Sequence, residues 1–197
     1  MSSWIVMVHV LCCLGGCSTD SPGRVRPSHD DGLPHHAGDT MLQTKAYYGI
    51  PILQKSLLWD GNGEVDDFGV GVHAPRFLDD DIALGLGLNA GTWLLPGADS
   101  YSGELEGLLR VYPFGAAPVF IEGTAGFQLA TKNVPPGGTD WNFSFGFGPG
   151  FEVPVAADCN FEFGAGYHHI SNALGRENDR NPSQNELRIW LGFTWTL

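Results

Sequence analysis

Phe161-Glu162-Phe163-Gly164-Ala165-Gly166-Tyr167-His168-His169-Ile170-Ser171 alternates with period two and runs on into Asn172-Ala173. Read as a strand, it places Phe161, Phe163, Ala165, Tyr167, His169 and Ser171 on one face, because successive side chains point to opposite sides. The apolar face therefore ends in an imidazole and a hydroxyl, about 6.6 Å apart at 3.3 Å per residue. Leaning side chains close such a gap. A hydroxyl beside an imidazole at the rim of an apolar surface is the start of a nucleophile and base pair suited to an apolar ester. The plainer reading is a strand end with two ordinary polar residues.

The same period recurs along the chain, broken by Gly, Pro, Asn and Asp. Upstream runs place Ala46, Tyr48, Ile50 and Ile52 on one face, then Phe68, Val70, Val72 and Ala74, then Ile82, Leu84, Leu86, Leu88 and Ala90. Next come Leu105, Gly107, Leu109 and Val111; Val119, Ile121, Ala125, Phe127 and Leu129; and Trp141, Phe143, Phe145 and Phe147. After the opening run, Leu187, Ile189, Leu191, Phe193, Trp195 and Leu197 complete the set. That predicts about eight strands of roughly 8 to 13 residues. Asn133 to Thr139, with two Pro and two Gly, reads as a loop.

The contents of the two faces decide the architecture. One is almost free of charge. The other carries Gly, Thr and Asn with Glu106, Arg110, Glu122, Glu162, Glu186 and Arg188. A soluble barrel keeps its apolar side chains inside, whereas small residues with pairable charges fill a narrow polar lumen and leave a greasy surface for lipid. The expected fold is all-β: an eight-stranded antiparallel transmembrane β-barrel with a polar lumen and a lipid-facing apolar exterior. A soluble β-sandwich or lipocalin-like barrel is the alternative. The composition agrees, since 28 Gly and 12% aromatic residues accompany only 16% charged residues. No apolar run reaches the ~20 residues of a spanning helix. A formal net charge of −12 argues against nucleic acid as a partner.

Residues 1–17 read as an export leader: Trp4 to Leu14 is apolar, and Leu14-Gly15-Gly16-Cys17 resembles a lipobox, making Cys17 a candidate for lipidation. No Lys or Arg precedes Trp4, which departs from the usual positive n-region and leaves room for an upstream start. Cys12 and Cys13 belong to the same leader, so Cys159 stands alone and no disulfide framework is expected. Residues 18–40 have the composition of a disordered linker, with the barrel over 41–197. His29, His35 and His36 lie in that tail, where clustered His is ordinarily solvated. His168 faces the lumen, away from His169. Neither pairing suggests a metal, and no cofactor is expected.

With the N-terminus in the periplasm, the short turns near Asp80, Ala116 and Ala157 are periplasmic, and the connections near Asn62, Gly97, Gly137 and Glu177 are outside. His169 and Ser171 then sit at the outer rim, facing the outer leaflet. Counting back by parity from Leu187 puts Asn185 on that same exterior face and turns Glu186 into the lumen. A bulge after Pro182 would reverse the two.

These residues resemble the outer-membrane lipid A 3-O-deacylases, whose pattern is His-x-Ser-Asn-Ala at a strand end, a loop, and an Asn-Pro-Gly turn into the last strand. Here the match is His169-Ile170-Ser171-Asn172-Ala173 with Asn181-Pro182-Ser183. Weaker similarity covers Glu104 to Phe114 and Thr139 to Phe147, about half of the mature chain in all. The resemblance implies an outer-membrane esterase that removes the 3-linked acyl chain of lipid A, with lipopolysaccharide of the outer leaflet as partner. It makes Ser171 the nucleophile, His169 the general base and Asn172 an oxyanion donor. The family's orienting Glu falls at Asn185, with Glu186 one place further on, so the third member is a departure that would lower activity. Arg176 and Arg180, in the outer loop, are candidates for pairing with lipid A phosphates. A non-catalytic structural outer-membrane barrel is the competing function.

Overall fold

The computed structural model describes residues 35–52, 61, 64–115, 117–175 and 178–197. The expected leader, Cys17, most of the expected linker and Arg176 lie outside these residues. Eight strands follow one another, each antiparallel to the next: β1 (Met41–Pro51), β2 (Asp67–Asp79), β3 (Ile82–Trp93), β4 (Ser100–Val111), β5 (Val119–Val134), β6 (Thr139–Ala156), β7 (Cys159–Ser171) and β8 (Gln184–Thr196). β1 also pairs with β8, which closes the sheet into a barrel without an edge.

The faces fall where the alternation put them. Leu86 and Leu88 are 66% exposed on the outside, while Glu106 is 6% and Arg110 0% exposed in the lumen. Exposed leucines with buried charges are the reverse of a water-soluble core, and they identify the exterior as the lipid face.

Inside, the charges are paired. Arg110 bridges Glu122 of β5 at 2.7 Å and Glu162 of β7 at 2.9 Å, with its guanidinium 3.8 Å from the Phe120 ring centre. Lys45 also pairs with Glu122, and Gln43 with Glu162. His73 Nε2 meets Glu106 at 2.6 Å, an approach that needs Gly87 opposite, since a Cβ there would lie 1.8 Å from the imidazole. Apolar clusters form at both ends: Phe77, Tyr112 and Phe120 at the end of the short turns, and Val65, Trp93, Val134 and Ile170 at the end of the longer connections.

Three expectations are corrected. β5 and β6, at 16 and 18 residues, exceed the expected strand length. The β5–β6 ladder passes through Gly148 and Pro149, with Pro149 opposite Ile121, and the expected loop from Asn133 to Thr139 is a tight turn over Pro135–Gly138. The linker ends sooner than residue 40, because residues 35–40 sit in the mouth at the short-turn end. His35, expected in solvent, is 1% exposed. It stacks on Phe77 at 4.5 Å and lies 2.9 Å from Glu152, which also accepts from the Tyr112 hydroxyl. A buried carboxylate at the barrel end needs donors, and the chain just before β1 supplies one.

Candidate active site at the outer rim

β7 presents Tyr167, His169 and Ser171 outward, one above the next. Across the seam with β6 these residues face Phe147, Phe145 and Phe143. Across the seam with β8, His169 faces Asn185 directly. This β7–β8 register runs unbroken from Cys159↔Trp195 to Ile170↔Gln184. No bulge reverses it, so Asn185 shares the exterior face with His169.

Glu186 accordingly turns into the lumen. It is fully buried, 2.9 Å from His168 Nδ1, 2.6 Å from Gln184 and 3.2 Å from Arg188. As the alternative third member Glu186 is excluded, because its carboxylate serves His168 on the wrong side of the wall.

His169 Nδ1 lies 2.7 Å from Asn185 Oδ1, and the Tyr167 hydroxyl reaches the same oxygen. Oδ1 carries no proton, so both partners donate to it. With the Asn185 amide turned this way, the proton of a neutral His169 sits on Nδ1 and Nε2 is the basic nitrogen. Gly61, from the connection between β1 and β2, lies against Asn185: a Cβ there would stand 2.8 Å from Asn185 Nδ2. His169 and Asn185 are both buried although they face outward.

Ser171, half-buried, stands one repeat beyond His169, whose bond runs to Asn185 and not to the serine. Catalytic hydrogen bonds often close only when substrate binds.

Asn172 differs from what the resemblance implied. Its backbone N–H donates to Asn181 at 3.2 Å, and its amide donates to Thr139 at 3.1 Å and to the Arg180 carbonyl at 2.6 Å. With these donors engaged, Asn172 anchors the loop and is no oxyanion donor. Arg180 is exposed on that loop.

Two residues of the loop take left-handed backbone, Ala173 at φ 58° and Ser183 at φ 27°. Such strain at a non-glycine residue costs on the order of 1 kcal/mol and gathers at functional sites. Ala173→Gly, at the exposed residue of the two, should stabilise the barrel by less than about 1 kcal/mol, because relief of the left-handed strain is partly offset by a freer unfolded chain, read as a higher temperature for loss of the fast-migrating folded band on a semi-native gel.

The sequence reading missed Tyr167 as a polar participant, and missed His35 and Gly61. Parity did place Tyr167 on the correct face. Its diagonal reach to the neighbouring strand is a pairing that period two alone does not reveal.

No protein-family model matches this chain, and no curated protein matches it. Among solved structures it resembles Neisserial surface protein A, with a TM-score of 0.53 and 15% identity over 80% of this chain and 97% of that one. It also resembles the outer membrane enzyme PagL, with a TM-score of 0.55 and 16% identity over 76% and 97%. The N-terminal β-barrel domain of Pseudomonas aeruginosa OprF is similar over 80% of this chain and 99% of that one, at 16% identity and a TM-score of 0.49. The first two likenesses show the fold, an eight-stranded β-barrel.

Proposed function

We propose that this chain is an outer-membrane serine esterase that removes the 3-O-linked acyl chain of lipid A. The observation that carries the reading is the His169–Asn185 pair, held on the lipid face of the barrel beside Ser171. A polar pair buried at a lipid-facing rim has little structural purpose, and a phospholipid or lipid A ester is the electrophile at that depth. The residue pattern resembling the deacylases supports the same reading, and one barrel of similar fold is an enzyme.

In this mechanism the Ser171 oxygen attacks the ester carbonyl while His169 Nε2 takes its proton. The tetrahedral intermediate collapses and expels the sugar 3-oxygen, which receives that proton. Water, activated by the same nitrogen, then hydrolyses the acyl-serine and frees the fatty acid. Asn185 holds the imidazole in the tautomer this requires, but being neutral it does not stabilise the imidazolium as a carboxylate would. Arg180, exposed on the loop after β7, is the candidate partner of a lipid A phosphate.

The test is mass spectrometry of lipid A after lipopolysaccharide is incubated with the purified, detergent-folded protein. Loss of one hydroxyacyl chain, with the matching free fatty acid, is the expected result. Intact lipid A in the presence of folded protein would leave a non-catalytic structural barrel, the reading that the neutral Asn185 favours.

A further inference from the structure

We propose that Tyr167 is a positioning residue of this site: its hydroxyl selects the amide orientation of Asn185 and, through it, the His169 tautomer able to take the Ser171 proton. Only the last step of this chain rests on the esterase reading.

The argument begins with symmetry. A carboxylate opposite an imidazole offers an oxygen whichever way it is turned, whereas an amide offers an oxygen one way and an NH2 the other. Were the Asn185 amide reversed, its NH2 would donate to Nδ1 of His169. The imidazole proton would then sit on Nε2, and no basic nitrogen would remain on the serine side. A site built on Asn therefore needs something to hold the amide one way round.

Tyr167 is one group that does this, by geometry and by chemistry. Its ring packs against Phe145 at 5.8 Å and Phe147 at 5.7 Å, and lies 9° from parallel with the His169 ring at 6.5 Å. Packing thus fixes where the hydroxyl points, which is at Asn185 Oδ1. A phenol shares its oxygen lone pair with the ring, so it donates well and accepts poorly. It favours the orientation in which Asn185 presents its oxygen. The same oxygen then accepts the Nδ1 proton of His169 at 2.7 Å.

The test compares Tyr167→Phe in two backgrounds, the natural Asn185 and Asn185→Asp, with folding verified by the semi-native gel mobility. The tautomer is read from the ring 15N shifts of His169 in micelles, assigned by their loss in His169→Gln. The natural chain should show the Nδ1-protonated form, and Tyr167→Phe should show a mixture with the Nε2-protonated form. On a p-nitrophenyl ester, Tyr167→Phe should lower kcat about tenfold with KM unchanged when Asn185 is present, the loss expected for one hydrogen bond. With Asn185→Asp the same change should matter less than about twofold. An unchanged tautomer in Tyr167→Phe, or an equal loss of kcat in both backgrounds, overturns the proposal. A tautomer shift in a chain without esterase activity upholds Tyr167 and removes the esterase reading instead.

Discussion

Ser171→Ala should lower acyl release by a factor on the order of 10⁶, the scale of losing the nucleophile in a serine hydrolase. Among the described residues beside it, Asn172 is buried and engaged in the loop, and Tyr167 is committed to Asn185. His169→Ala should cost nearly as much, because the two act as one unit and their losses do not add. The adjacent positions of β8 supply the contrast that makes this a statement about the site and not about the barrel. Asn185→Ala removes the imidazole's partner and should reduce turnover roughly 10²-fold. Glu186→Gln keeps a lumen hydrogen-bonding group beside His168 and should leave turnover unchanged. The measurement is the initial rate of free fatty acid release from lipopolysaccharide at equal amounts of folded protein. Equal effects at 185 and 186 would count against an exterior site.

Arg110→Met should destabilise the barrel by about 3–5 kcal/mol, the cost of removing one partner from a buried ion pair. Arg110 is fully buried between Glu122 and Glu162. Glu122 retains Lys45, but Glu162 keeps only the neutral donors Gln43 and Thr194. The methionine fills most of the volume, so lost packing against Phe120 is the smaller part. Adding Glu162→Gln to Arg110→Met should recover much of the loss, because it removes the charge left without a counterion. Urea unfolding in lipid vesicles, followed by tryptophan fluorescence, reads both. If Arg110→Met alone is as stable as the natural chain, the lumen charges are not coupled as drawn.

Much of the barrel was legible because period two survives wherever a wall separates lipid from a polar interior. Val70, Leu86, Leu109 and Phe143 lie outside while Glu106, Arg110 and Glu122 lie inside, as alternation required. Parity alone also separated Asn185 from Glu186, since a one-residue slip would have reversed all of β8. Strand ends were less legible. β6 runs on through Gly148-Pro149-Gly150, where β5 pairs with each of the three residues in turn. His35 was invisible for a different reason. A short polar segment has no period, and its burial is decided by Phe77, Tyr112 and Glu152, which are distant in sequence. In the same way, the motif around Ser171 identified Asn172 but not where its donors go.

The apolar clusters at the two ends of the lumen bear on transport. Trp93, Val134 and Ile170 pack together near one mouth and Phe77, Tyr112 and Phe120 near the other, with the ion pairs of Lys45, Arg110, Glu122 and Glu162 between them. With those pairs along its axis the barrel should give no steady conductance step in a planar bilayer.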